Sequence, residues 1–132
     1  MRIENPIDIH DAVTIAFNAG DLEGLMACYE PDARMVGMDG TTVLEGTDAI
    51  RENWTALLAF GGTMTLETRY VIEMGDVALL SNSYTVAVGD DTVSGATAEV
   101  VRRQADGTWR YVIDHPTGAG EVPELPDLPD AE

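Results

Sequence analysis

From Met64 to His115 apolar side chains return with a period of two, and the runs are cut by short glycine and aspartate clusters at Gly75-Asp76, Gly89-Asp90-Asp91 and Asp106-Gly107. A period of two gives a strand one dry face, and Gly/Asp pairs between such runs supply the positive-φ positions that tight reversals need. In the first run Met64, Leu66, Tyr70, Ile72 and Met74 alternate with Thr65, Glu67, Arg69 and Glu73. A second strand continues through Val88, a third covers Thr92 to Gln104, and a fourth covers Trp109 to His115. Four long strands joined in this way predict an antiparallel meander with one face to bury.

The N-terminal half has the other period. Asn5-Pro6 reads as a helix cap and first turn, and Ile9, Val13, Ala16 and Phe17 then recur at helical spacing up to Gly20. Asp21 is placed to cap a second helix, whose Leu22, Leu25, Met26 and Tyr29 repeat until Pro31. Ala33 to Met38 and Thr42 to Glu45 read as a small hairpin about Asp39-Gly40, and Gly46-Thr47-Asp48 starts a third helix with Ile50, Trp54, Leu57 and Leu58 as its apolar stripe. The order is helices first and long strands last, an α+β arrangement.

Length and charge narrow what such a domain does. A chain of 132 residues is the size of one domain. Its 24 acidic and 7 basic residues give a net charge of −17, which opposes binding to nucleic-acid backbones or anionic membranes. Every basic side chain is arginine, so no lysine is present for a Schiff base or a phosphate loop. The lone Cys28 reads as a buried structural thiol. No secretory signal or membrane-length apolar run is visible, so the expected location is the cytoplasm. Residues 119–132 are rich in proline and acid and form a tail that adds no core; the domain proper is 1–118.

Three local texts, GDLEGLMACYEPDA, EGTDAIRENWTALL and RRQADGTWRYVIDHPTG, together with the element order, resemble the nuclear-transport-factor-2-like superfamily, in particular its SnoaL-like polyketide cyclase and ketosteroid isomerase branches. That resemblance implies a cone-shaped, curved antiparallel sheet closed by about three N-terminal helices around a pocket for a small, mainly apolar molecule. It places Tyr29, Met35, Trp54, Leu57 and Tyr84 near the cavity, and it implies a homodimer. Ordinary core packing is the alternative for all five residues. Where the ketosteroid isomerases carry a carboxylate base, this chain has Gly37, and Asp39 two positions on suits a turn better than a pocket.

Relatives of the SnoaL-like kind carry acid-base Asp or His side chains on the last strands, which points to Asp114 and His115. Both have pKa values that a dry pocket moves toward neutrality. In a regular strand the two face opposite ways, and parity puts His115 with Trp109, Tyr111 and Ile113 on the inner face unless a bulge intervenes. The competing reading leaves His115 bonded to backbone and Asp114 paired with an arginine at the surface. Arg69, Arg102 and Arg103 receive no role, since solvated pairing with carboxylates accounts for them. Two histidines and one cysteine make no conventional zinc site, and no dinucleotide or phosphate-loop motif is present, so neither a metal nor a cofactor is expected. The expectation is cofactor-free isomerisation, cyclisation or dehydration, with Tyr29 as a donor to a developing enolate, or else a non-catalytic binding or dimerisation module.

Overall fold

The computed structural model describes residues 2–120; the remainder of the proline-rich tail lies outside the described residues. Among the described residues three helices, α1 (Asp8–Asn18), α2 (Leu22–Met26) and α3 (Gly46–Ala59), are combined with seven strands. These are β1 (Tyr29–Val36), β2 (Val43–Glu45), β3 (Thr63–Met74), β4 (Val77–Val88), β5 (Asp91–Ala96), β6 (Ala98–Arg103) and β7 (Trp109–His115). They form one curved sheet in the order β2-β1-β7-β6-β4-β3, with β5 also paired to β4. All pairings are antiparallel except β1 with β7, which is parallel, so the sheet is mixed.

The turns fall where the glycines predict, but three elements differ from the sequence reading. Helix α2 stops at Met26 rather than at Pro31, and Tyr29 opens a strand. Pro31 is tolerated within β1 because the pairing with β7 shifts between Tyr29 and Arg34, and a residue with no N–H to donate fits at such an irregularity. Helix α1 begins at Asp8 after a turn over Asn5 to Ile7, without a side-chain cap. The expected third long strand breaks at Thr97, whose N–H donates to the Asn82 carbonyl at 2.9 Å while its hydroxyl accepts from the Asn82 N–H at 3.0 Å. One side-chain bond therefore replaces a ladder bond where the strand divides into β5 and β6.

The helices cover the concave face. Ile9, Val13 and Phe17 of α1 and Ile50 and Trp54 of α3 are buried against Met35, Met64, Leu80, Val101 and Tyr111 of the sheet. Phe17 and Trp54 meet edge to face at 6.2 Å between ring centroids, which joins the two helices across the roof of the cone. Register fixes what each face carries. Across neighbouring strands the row Val71, Leu80, Glu99, Asp114, Met35 points inward, and the adjacent row Ile72, Leu79, Val100, Ile113, Arg34 points outward. Among the described residues no helix is long and apolar enough to cross a membrane.

Candidate active site

The concave face encloses a cavity of about 450 Å³. Most of its wall is apolar, with Val13, Phe17, Trp54, Leu57, Met64 and Val86 as examples, while Asn82, Tyr84, Thr97, Glu99, Tyr111 and Asp114 bring polar atoms to it. Two of these are carboxylates directly opposite each other on β6 and β7, and both are almost completely buried. Side chains in such a cross-strand pair stand roughly 5 Å apart at Cβ, close enough for like charges to act on one another.

Asp114 faces inward because β7 contains a bulge. Val101 pairs with Tyr111 and Val100 with Ile113, which leaves Val112 as the extra residue. One added residue reverses the alternation beyond it. Trp109 and Tyr111 point in, Ile113 is exposed, Asp114 is buried on the cavity wall, and His115 follows Ile113 to the other side. The parity expectation for His115 is thus corrected: its ring does not line the cavity, and its Nδ1 is buried without a hydrogen-bond partner among the described residues.

Each carboxylate has its own support. Tyr29 donates its O–H to Asp114 Oδ2 at 2.5 Å and accepts from the Trp54 indole N–H at 3.1 Å. Asp114 Oδ1 makes no hydrogen bond among the described residues. Burial, and after it the Glu99 charge, push the Asp114 carboxyl up from 3.8 to about 7, against the opposing pull of the Tyr29 bond. Glu99 is more fully bound: Oε2 lies 3.0 Å from His10 Nε2, and Oε1 accepts from Asn82 Nδ2 at 3.2 Å and from the Thr97 hydroxyl. His10 reaches this point from α1, and its Nδ1 lies 2.9 Å from the Thr68 hydroxyl of β3. His10 of α1, Asn82 of β4 and Thr97 at the break between β5 and β6 thus hold one buried glutamate, and Thr68 of β3 holds His10 in turn.

Of the residues singled out in the sequence, Met35, Trp54, Leu57 and Tyr84 lie on the cavity wall. Tyr29 does not; it sits behind Asp114, with its ring 5.0 Å from that of Tyr111. Its O–H is already committed to Asp114, so it cannot donate to an enolate as expected. The free phenols on the wall are Tyr84 and Tyr111, whose hydroxyls have no protein partner among the described residues. Burial raises both above the ordinary phenol value, with the Asp114 charge adding to it at Tyr84 and the Glu99 charge, then that of Asp114, adding to it at Tyr111, so each keeps its proton to donate. Gly95, opposite Tyr84 on β5, makes room for that ring: a Cβ there would stand 2.5 Å from the Tyr84 hydroxyl.

Other candidates take no part. Asp39 is a turn residue, its carboxylate held down to about 2 by the Thr42 hydroxyl and by the backbone N–H groups of Thr42 and Thr41. Cys28 is buried, and burial pushes its thiol up to about 12, which removes it as a nucleophile. Arg102 pairs with Glu30 in two bonds of 2.9 and 2.7 Å, Arg103 pairs with Asp76, and Arg69 donates to Ser81 at 3.0 Å; none lines the cavity. Among the described residues no group of three His, Cys, Asp or Glu side chains is disposed to hold a metal ion.

This mixed sheet roofed by helices is the nuclear-transport-factor-2-like fold, which similar solved structures share. Within it, residues 9–112 match the family model described as SnoaL-like domain, and the chain belongs to that family. Similar solved structures include a proposed calcium/calmodulin-dependent protein kinase type II association domain from Thiobacillus denitrificans, at 22% identity over 91% of this chain and 99% of that one, with a TM-score of 0.75. A ketosteroid isomerase-like protein from Erwinia carotovora atroseptica is 23% identical over 80% of this chain and 87% of its own, with a TM-score of 0.66. A proposed dehydratase of the NTF2-like family from Streptomyces avermitilis is 19% identical over 83% and 90%, with a TM-score of 0.67. At these identities the likeness is one of fold. No curated protein matches the chain in sequence.

Proposed function

We propose that this protein is a cofactor-independent acid-base enzyme acting on a small, mainly apolar carbonyl compound, with Asp114 as the proton-transferring group. The observation that carries the reading is a carboxyl buried in an apolar cavity, bonded through one oxygen only and raised to about 7, where a group both accepts and returns a proton readily. In the proposed step Asp114 Oδ1 takes a proton from the carbon next to the carbonyl. The C–H electron pair moves into the new C=C bond, and charge gathers on oxygen, where the Tyr84 or Tyr111 O–H meets it. Returning the proton to another carbon is an isomerisation; losing a neighbouring hydroxyl as water is a dehydration. Fold neighbours named ketosteroid isomerase-like and proposed dehydratase are compatible with either outcome.

The test needs no knowledge of the natural substrate. In deuterated buffer the protein is expected to exchange the α-hydrogens of apolar cyclic ketones, such as 2-tetralone and 2-cyclohexenone, faster than buffer alone, read by proton NMR. A panel of cyclic and linear ketones that exchanges no faster than in buffer would count against the proposal.

A second observation concerns the outer face. Ile72, Leu79, Val100 and Ile113 form an apolar row across four adjacent strands, with Ile72 53% and Ile113 45% exposed. A self-complementary patch of this kind suits a two-fold contact between copies of the chain, and we propose a homodimer through this face. Leu79→Arg at its centre is expected to weaken dimerisation more than a hundredfold, read by sedimentation equilibrium, with the monomer keeping its fold by circular dichroism. An unchanged association constant would place the contact elsewhere.

A further inference from the structure

The two buried hydrogen bonds behind Asp114 can run in one direction only. An indole N–H donates and never accepts, so at 3.1 Å Trp54 gives its proton to the Tyr29 oxygen. The one other partner of the Tyr29 hydroxyl among the described residues is Asp114 Oδ2 at 2.5 Å, and the phenol proton points there. Turning it away would leave a buried O–H without an acceptor, which folded chains rarely tolerate. Oδ2 therefore receives a hydrogen bond whether the carboxyl is charged or neutral. The other groups about Asp114 leave this chain undisturbed. Glu99 faces it from β6 but has both oxygens bonded to His10, Asn82 and Thr97. The Cys28 thiol and the Tyr84 and Tyr111 phenols feel its charge without bonding to it, and no arginine pairs with it among the described residues. The second oxygen, Oδ1, has no partner there, yet unlike Asn82 Oδ1 and His115 Nδ1 it is not sealed from the cavity.

We infer that Trp54 and Tyr29 are positioning residues that hold the exchangeable proton of Asp114 on Oδ1, the oxygen open to the cavity. A carboxylic acid carries its proton on either oxygen, and here only one of the two positions serves a substrate. On Oδ2 the proton would meet the Tyr29 O–H head on. On Oδ1 it stands at the cavity, while the Oδ2 carbonyl goes on accepting from Tyr29. One atom thus takes the proton and gives it back, with no rotation of the carboxyl between the two halves of a transfer. The same bond favours the carboxylate, against the burial and the Glu99 charge that act the other way. A tyrosine that does not line the cavity acquires a function in this way, acting on the substrate only through Asp114. The placement of the proton follows from the hydrogen bonds; its consequence for turnover rests on the acid-base reading.

Infrared spectroscopy locates the proton without any turnover. The chain with 13C-labelled aspartate is compared at pH 5.5, where Asp114 is neutral and exposed aspartates are charged, and at pH 8. The difference should contain one carboxylic C=O band, missing from Asp114→Asn, at the low wavenumber of a carbonyl that accepts a hydrogen bond. Tyr29→Phe should raise that wavenumber, because the Oδ2 carbonyl loses its donor. A native band at the position of a free carbonyl, or a band that Tyr29→Phe leaves in place, overturns the assignment. The native band decides even if the variant does not fold. In α-hydrogen exchange, Tyr29→Phe should lift the pH midpoint by about one to two units, the worth of one hydrogen bond to a charged group, with KM within about twofold. Trp54→Phe should lift the midpoint by less, since the indole bond only strengthens the phenol as a donor. A midpoint that neither variant moves also overturns the assignment. Native exchange by Asp114→Asn, with the low band and its response to Tyr29→Phe intact, would refute the acid-base reading alone. Exchange abolished in Asp114→Asn, with a band indifferent to Tyr29, would refute only the placement of the proton.

Discussion

Asp114→Asn is expected to reduce α-hydrogen exchange by about a thousandfold, within the range that a positioned general base contributes, while the variant stays folded and keeps its affinity for the ketone. The amide retains an oxygen to accept from Tyr29 but cannot take a proton, so the loss falls on kcat rather than KM. In the native protein the rate should climb about tenfold per pH unit below 7 and level off above it, because the base acts only when ionised and its carboxyl is raised to about 7. Glu99→Gln removes the charge that, after burial, does most to raise that value, so the midpoint should move to lower pH. A profile flat from pH 5 to 9, or an Asp114→Asn variant with native exchange, would remove Asp114 from the reaction.

Much of the scaffold could be read from the chain because its signals are local. Period two in β3 and β4, glycines at the reversals and the apolar stripes of α1 and α3 each act within a few residues, and the folded chain follows them. The parallel contact of β1 with β7 is different, since it joins segments about eighty residues apart and leaves no mark in either. The same division runs through the site. Asp114 could be singled out by its chemical type and strand-end position, but its facing depends on the bulge at Val112, which no local pattern announces because valine suits either a regular strand or a bulge. Glu99 and His10 carry only faint signals in the sequence. Glu99 is in phase with Val101, which is fully buried, and His10 stands three and seven residues before Val13 and Phe17 on the same helical face. A polar residue inside an apolar register is most easily dismissed as noise, yet a buried pair 3.0 Å apart explains both.

The physical cost of keeping Asp114 where it is should be visible in the stability of the fold. Its carboxyl is raised from 3.8 to about 7 in the folded chain, so between these values the folded state holds a proton that the unfolded state has released. Stability that depends on that proton is fully present below pH 4 and is lost as pH rises through 7. At roughly 1.4 kcal/mol for each unit of difference, the loss is on the order of 4 kcal/mol by pH 8. Asp114→Asn has no charge to bury at any pH and keeps the Tyr29 contact, so it should be more stable than the native chain at pH 8 and nearly equal to it at pH 4. In thermal unfolding the gap at pH 8 should be on the order of 10 °C for a domain of this size. Glu99→Ala is expected to act in the opposite direction, costing about 3 to 5 kcal/mol, because it leaves His10 buried without its partner. A variant that loses its proton transfer while gaining stability is the signature of a group placed for reactivity at the expense of the fold. If Asp114→Asn instead melts lower at pH 8 than at pH 4 relative to the native chain, the buried carboxylate is a structural anchor and the acid-base reading fails with it.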